Sequence, residues 1–353
     1  MAETSRKVRI HEALWDKKES SYGAAIGDGE AGSWAALFDG EPWNVKPSFI
    51  DDMNETGKGH EWRGNRRAVS KWEANVSRSR LLDNRVAGWL GAFGLGAVST
   101  ANGANVNTHT FKPLAQSSGV QIPSTTVVEN QADETLKRKM SGVCVGGFTI
   151  DAKKGAPVRC SYDLVGSGKA DDTTGITLPS ITYTAPFKFT ALSTANFGPD
   201  GSPNNIIALL RGVRFQFNND LQEDDGYLAG STEISSSTGL GPAKQKLEYG
   251  MRSWTMTIDI DARRSAYTEW TAFLTQALWE CKFVMRGALV AGSDYEELEI
   301  EVPELYIADL TPGWDGPIKI YTATVHGRYV SGDASPFLYK VRNTVATYLS
   351  AAA

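Results

Sequence analysis

The chain has 353 residues, of which 41% are hydrophobic and 22% are charged, a composition that excludes wholesale disorder. The 36 lysines and arginines against 41 aspartates and glutamates give a formal net charge of −5, which argues against a protein that grips nucleic acid through its phosphates. The length predicts two domains, each large enough to bury a core.

We expect no export signal in the N-terminal region. Residues 1–21 are charged throughout and lack the apolar stretch of a secretory signal. The longest apolar run, residues 86–98, is shorter than the roughly 20 residues that span a bilayer, so we expect no membrane role. Cys144, Cys160 and Cys281 are widely spaced, and neither a disulfide framework nor a zinc site is predicted.

The two halves of the chain share five sequence features in the same order. The matching segments, first half and second half, are 45–52 and 213–220 (both V-[KR]-x-x-F-x-[DN]-D), 72–76 and 254–258, Trp89/Phe93 and Trp270/Phe273, 148–150 and 305–307, and 155–158 and 315–318. The spacing between features differs, as expected when insertions fall in surface loops. We interpret this pattern as a duplication; the alternative is two unrelated β-rich domains that look alike by chance.

Alternating hydrophobicity predicts a mainly β fold. Period-two patterns over residues 158–164, 180–191, 206–217 and 253–260 are typical of half-buried strands.

One segment in each half has helical spacing instead. We expect Trp89 and Phe93 in the first helix, and Trp270 and Phe273 in the second, to pack against a sheet. Each half is therefore predicted to be a β-sandwich with one flanking α-helix, a β-rich α+β architecture.

No catalytic, cofactor-binding or metal-binding site is predicted. Gly27, Gly29 and Gly32 match a dinucleotide-binding fingerprint by letters alone, because no apolar strand precedes them. The four histidines stand apart from any carboxylate at ligand spacing. The acidic clusters at residues 51–52 and 223–225 fall in or beside predicted long loops, where solvated acids are usual.

The order of these elements resembles the major tail tube proteins of long-tailed, non-contractile bacteriophages. The resemblance covers residues 34–335 and rests on a strand, a long polar loop, a Trp-bearing strand, a helix, and two further strands with G-x-P before the last. It implies six-fold rings that stack into a tube, with sheets of neighbouring subunits joined around a β-barrel lumen. A long loop from each domain would reach the next ring. Because this chain carries two such halves, it implies three chains in each pseudo-hexameric ring.

The resemblance also implies a division of the chain. We expect an N-terminal arm (1–33), two tube domains (34–175, with an insertion at 99–138, and 176–335) and a C-terminal arm (336–353). Loops 51–66 and 219–246 directly precede the Trp-bearing strands and are the expected contacts between rings. The candidate residues in them are Asp51, Asp52, Glu55, Lys58, His60, Glu223, Asp224, Asp225 and Tyr227.

The implied partners are other copies of the chain and other tail proteins, such as the tape measure, terminator and distal tail protein. DNA would pass through the lumen only transiently, and an anionic lining would keep its phosphates from sticking. The implied location is the virion tail, assembled in the host cytoplasm. Alternatives are a tail terminator, a tube of a contractile or secretion apparatus, and a carbohydrate-binding adhesin module; an enzyme ranks behind these.

Overall fold

A computed structural model describes residues 10–28, 30–51, 67–115, 121–130, 137–173, 176–181, 184–228, 243–262 and 267–352. The fold is mainly β, as the hydrophobic alternation predicts. Two segments that the sequence marks as strands, 158–164 and 253–260, are strands in the structure.

The first half of the chain forms a closed six-stranded β-barrel. The strands of this half, six of which form the barrel, are β1 (Ile10–Trp15), β2 (Ser33–Gly40), β3 (Asn44–Asp51), β4 (Arg67–Leu81), β5 (Gly96–Ala101), β6 (Asn107–Pro113), β7 (Thr125–Asn130), β8 (Lys137–Lys153), β9 (Arg159–Gly166) and β10 (Ala170–Thr173). The barrel order is β2–β1–β7–β8–β9–β4, and β4 pairs back to β2. Gly40 makes this closure possible, because a Cβ there would lie 2.7 Å from the carbonyl oxygen of Ser77.

The second half repeats this pairing order without closing a barrel among the described residues. Its strands are β11 (Leu192–Pro199), β12 (Asn204–Asn205), β13 (Leu210–Asn218), β14 (Leu221–Gln222), β15 (Glu248–Tyr249), β16 (Ser253–Asp261), β17 (Trp279–Ala291), β18 (Asp294–Asp315), β19 (Ile318–Gly327) and β20 (Leu338–Asn343). They pair as β12–β11–β17–β18–β19–β16–β13. The first half pairs as β2–β1–β7–β8–β9–β4–β3, with the strands in the same chain order.

Each half has one α-helix after its Trp-bearing strand, as the spacing predicts. Helix α1 (Asn84–Leu90) follows β4 and continues as a π-helical turn (Gly91–Leu95). The side chain of Asp83 caps its first turn by accepting from the Val86 N–H, which satisfies a backbone donor that the helix leaves unpaired. Helix α2 (Tyr267–Thr275) follows β16.

The predicted strand over residues 180–191 is wrong. Its described part is irregular apart from a short 3-10 helix (Phe189–Ala191). Phe187 is buried, and its backbone donates to the Leu82 carbonyl oxygen and accepts from the Val158 N–H. The apolar side chain therefore fixes an irregular segment against the sheet, although the segment is not a strand. Pro186 has no N–H to offer a neighbouring strand.

The terminal ranges expected to be arms both supply sheet strands. Strand β1 pairs with β2 and β7 inside the barrel, and β20 pairs with β18 and β6. The insertion expected at 99–138 contains β6 and the barrel strand β7. These segments are held by backbone pairing to the rest of the chain.

The sequence matches link the correct strands in the wrong register. Val45–Ile50 and Val213–Asn218 do lie in corresponding strands, β3 and β13. However, Phe217 pairs with Trp254, whereas Trp72 pairs with Pro47 and not with Phe49. The two pairings also have their register shifts at different places, between Ser48 and Phe49 in β3 and between Leu210 and Gly212 in β13.

Candidate assembly surfaces

The two strand sets join edge to edge inside the chain. Strand β13 of the second set pairs antiparallel with residues 147–153 of β8 in the first set. Phe217 lies opposite Phe148 and Phe215 opposite Ile150, and all four side chains are at most 2% exposed. The Phe148 ring lies 5.9 Å from that of Phe217 and 6.0 Å from that of Phe215. An aromatic core therefore seals this junction.

Polar groups lock one end of the same junction. The Asn219 side-chain amide donates to the carbonyl oxygens of Gly94, at 2.8 Å, and Val145, at 2.9 Å. Its backbone N–H donates to the Gly146 carbonyl oxygen at 2.8 Å. Asn219 thereby ties the second set to both the helix end and the barrel of the first.

The corresponding strand of the second set, β18, has a very different edge. Its second half pairs with β19 on one side, and no described strand pairs with residues 308–315 on the other. Most of these residues are exposed, and the Trp314 side chain is 71% exposed at the end of the β18–β19 hairpin. Such an open strand edge is a template for pairing with another chain.

Strand β3 provides a second open edge. Within the described residues it pairs with β4 alone. Val45 is partly buried against the core, while the Lys46 side chain is 60% exposed and lies 4.0 Å from Glu73. Pro47, which has no N–H, is a residue type that sheets confine to edge strands and strand ends.

The predicted helix-packing residues divide into two buried and two partly exposed ones. Trp89 and Phe93 are fully buried, with ring centroids 5.1 Å apart. Trp270 is 43% exposed and lies 5.7 Å from Phe273, which packs partly against the core. Leu274 beside them is 64% exposed. Helix α2 thus presents an apolar face that α1 does not.

Two of the acidic residues of the second predicted loop, Glu223 and Asp224, are paired within the chain. A short 3-10 helix (Asp224–Gly226) follows β14 and lies against β4. Asp224 accepts from Lys71 Nζ at 2.8 Å, Glu223 accepts from Asn75 Nδ2, and the Tyr227 hydroxyl donates to the Trp72 carbonyl oxygen. Ion pairing with Lys71 lowers the pKa of Asp224. Asp225 is exposed. Residues 229–242 lie outside the described residues.

The first predicted loop is described only at its start. Asp51 ends β3, where its backbone pairs with Arg67. The remaining candidates lie outside the described residues: Asp52, Glu55, Lys58 and His60.

A buried ionic cluster inside the barrel was missed by the sequence reasoning. Arg78 forms ion pairs with Glu12 and, at 3.0 Å, with Glu129, and all three side chains are at most 2% exposed. The Trp43 indole N–H donates to Glu12 at 3.1 Å, and its backbone N–H donates to Glu129. Burial raises the pKa of the Glu129 carboxyl. The alternation of β4 could have revealed the buried arginine, because Arg78 falls on the same inward-facing positions as Trp72, Ala74 and Val76.

The described part of the chain holds no group of three or more residues arranged to bind a metal ion. Nor does it contain a helix of the length and apolarity that a membrane span needs. Its three cysteines are buried, and burial raises the pKa of Cys160 to about 12, which keeps that thiol protonated and unreactive.

Comparison with protein families gives a match that covers most of the chain. Residues 13–324 match the family described as phage tail tube protein. No curated protein matches the sequence. The matched range begins inside β1 and ends inside β19, so it includes both strand sets and the junction between them.

Proposed function

Because this chain belongs to the phage tail tube protein family, we propose that its copies close into rings that stack to form the tail tube. The family supports a structural role in the virion tail. The ring, its symmetry and its use as the conduit for genome ejection are the proposal.

The observation that carries the proposal is the edge-to-edge junction between the two strand sets. It joins two sets of the same pairing order and leaves an open strand edge at each end, on β3 and on β18. A head-to-tail contact of this kind repeats from copy to copy, and it makes a ring when the rotation closes. Two sets per chain favour three chains in a ring with six similar lobes.

Charge and loop positions support the remaining parts of the proposal. A net charge of −5 per chain favours a lining that DNA phosphates slide past rather than bind. Loops 51–66 and 219–246 precede the Trp-bearing strands in the sequence and would carry the contacts between rings. Within the second loop, Asp224 and Asp225 are both exposed, and Asp224 also accepts from Lys71 inside the chain.

The proposed tube also defines the partners of the chain. The chain contacts its own copies laterally and axially, and the ends of the tube contact other tail proteins, such as the tape measure, terminator and distal tail protein. Assembly takes place in the host cytoplasm.

Electron microscopy of the purified full-length chain tests this function. We expect tubes whose cross-section has three chains and six similar lobes. Six chains with six single lobes would contradict the two-domain ring. Single rings that never stack would indicate a terminator, and a monomer retained on a sugar column would indicate an adhesin module.

A further inference from the structure

The sheet shared by the two strand sets contains two groups of four neighbouring strands. The first is β3–β4–β9–β8 and the second is β13–β16–β19–β18, and they join where β8 meets β13. We infer that β18 of one copy pairs antiparallel with β3 of the next copy, in the register that joins β8 to β13. This inference rests on the proposed function in requiring that the chain self-assembles, and it adds the strands and residues that meet.

A matching irregularity in β8 and β18 sets one half of the register. The pairing of β8 with β9 shifts between Val145 and Gly147, and the pairing of β18 with β19 shifts between Ile307 and Asp309. Bulges of this kind hold the register of a strand. Aligning the two shifts makes residues 309–315 of β18 equivalent to residues 147–153 of β8.

The partners across the sheet carry this equivalence to β4 and β16. Phe148 pairs with Tyr162, which pairs with Arg78. Its equivalent Leu310 pairs with Ala323, which pairs with Ile258. Arg78 is therefore equivalent to Ile258.

The same steps give the outer strands. Four residues before Arg78 and Ile258, Ala74 is equivalent to Trp254. Ala74 pairs with Val45, and Trp254 pairs with Phe217. Val45 is therefore equivalent to Phe217.

Two residue pairs between copies follow directly. Inside the chain, Phe217 lies opposite Phe148 and Asn218 lies opposite Gly147. The equivalent pairs between copies are Val45 with Leu310, and Lys46 with Asp309.

The side chains in this register are complementary. Val45 and Leu310 are apolar, and both point toward the core. Lys46 and Asp309 carry opposite charges and are both exposed in the single chain. Opposite charges facing each other across an antiparallel pair stabilise it.

Burial also fits the pairing. Ile150 and Ala152 are 1% and 2% exposed beneath β13. Their equivalents in β18 are Pro312 and Trp314, and Trp314 is 71% exposed. In this register Trp314 lies opposite Glu41 of the next copy, so the segment that leads into β3, and not β3 itself, would cover the position that β13 covers in the first set.

Prolines bound the paired stretch. In this register Pro47 lies opposite Ala308 and Pro312 lies opposite Trp43, and neither proline has an N–H to pair. The Trp43 N–H already donates to Glu129, so it needs no acceptor from Pro312. The stretch between the prolines is short and centred on Val45 and Leu310.

Disulfide trapping tests the register in the full-length chain. Lys46 and Asp309 are equivalent to Asn218 and Gly147. The neighbouring pair Asn219–Gly146 is joined by a backbone hydrogen bond, so Asn218 and Gly147 face each other at a non-hydrogen-bonded position of the ladder. Facing residues at such a position have Cα atoms about 4.5 Å apart, within disulfide range. The chain's own cysteines are buried and do not compete.

We expect the double variant Lys46→Cys/Asp309→Cys to form covalent multimers on mild oxidation, ending at a trimer if the ring closes at three chains. The matched control Lys46→Cys/Asp315→Cys moves one cysteine six residues, about 20 Å, along the same exposed strand, and should give at least tenfold less cross-linked product. Equal cross-linking of both pairs, or none at Lys46/Asp309 in a preparation that forms tubes, overturns the edge assignment and leaves the tube function standing. A chain that stays monomeric and uncross-linked overturns both.

Charge reversal gives an independent readout. Lys46→Glu should abolish tube formation at low salt, and the combined Lys46→Glu/Asp309→Lys variant should restore it. Thermal melting of each variant verifies the fold. Loss of tubes without rescue in the combined variant counts against the pairing.

Discussion

Helices α1 and α2 occupy the same place in the two strand sets, yet their surroundings differ. Every residue of helix α1 except Arg85 is buried, and the helix and its π-helical turn lie beneath β6, β20 and the C-terminal segment. Helix α2 leaves Trp270 and Leu274 in solvent. The difference arises outside the helices, because Tyr339 and Tyr348 reach α1 from the end of the chain. Burial of a helix in this fold therefore depends on which segment is placed over it.

The glycines of α1 show how close that covering segment lies. A Cβ at Gly88 would lie 2.2 Å from the Tyr348 hydroxyl oxygen, and one at Gly91 would lie 2.6 Å from the Phe111 ring. Gly94 is similarly close to the Phe148 ring. Glycines spaced by three residues form one face of the helix, and aromatic rings occupy the room they leave. Helix α2 has no glycine and no such cover among the described residues.

The largest expected difference between the helices concerns their tryptophans. Trp89→Ala should lower the free energy of unfolding by about 3–5 kcal/mol, because the ring is fully buried. Trp270→Ala should cost less than about 1 kcal/mol in the unassembled chain, because its ring is partly exposed. Urea unfolding at pH 7 measures both. Similar losses in the two variants would show that α2 is covered even in the single chain.

The next difference concerns the interiors of the two sets. Arg78→Met removes the ion pairs that Arg78 makes with the buried Glu12 and Glu129 and should cost about 3 kcal/mol at pH 7. At the equivalent position of the second set, Ile258→Val should cost about 1 kcal/mol. Burial raises the pKa of Glu129, so protonation should shrink the Arg78→Met penalty as the pH falls. A penalty that stays the same at pH 5 would rule out the lost ion pairs of these carboxylates as its cause.

A smaller effect is expected from the glycine face of α1. Gly91→Ala should destabilise the chain by about 2 kcal/mol, since the added methyl overlaps the Phe111 and Tyr339 rings. Gly332→Ala is the matched control, because a Cβ there meets nothing within 4 Å. Thermal melting compares the two. If the variants melt together, the rings above α1 move aside at little cost.

Sequence patterns predicted the elements better than their surroundings. Strands β9 and β16 and both helices follow from periodicity, because each buries one face. The barrel closure does not, since only Asp39–Gly40 and Arg78–Ser79 join β2 to β4, and no local pattern marks so short a pairing. The cover over α1 was missed for a related reason, as Tyr339 and Tyr348 belong to a range expected to be a terminal arm.

The role of the candidate loop residues as contacts between rings stays a prediction, and the sequence did not indicate their contacts within the chain. The sequence placed Glu223 and Asp224 in a loop. It could not indicate their pairing with Asn75 and Lys71, because these partners lie about 150 positions away in the chain. The open edges of β3 and β18 could not be predicted from the sequence either. Which strand lacks a neighbour depends on the pairing of the whole sheet.

The smallest expected difference concerns pH at the start of α1. Burial raises the pKa of Asp16 to about 7, against the opposing charge of Arg85 in α1. The folded chain therefore holds this proton more tightly than the unfolded chain, and the stability that it adds is lost as the pH rises through 7. Between pH 6 and pH 8 the loss should be about 1.4 kcal/mol. Asp16→Asn should remove that loss, so the gap between the melting temperatures of wild type and variant should shift in favour of the variant from pH 6 to pH 8. A gap that does not change with pH would mean that Arg85 keeps Asp16 ionised. The start of α1 would then be stabilised by the Asp16–Arg85 ion pair and not by a protonated Asp16.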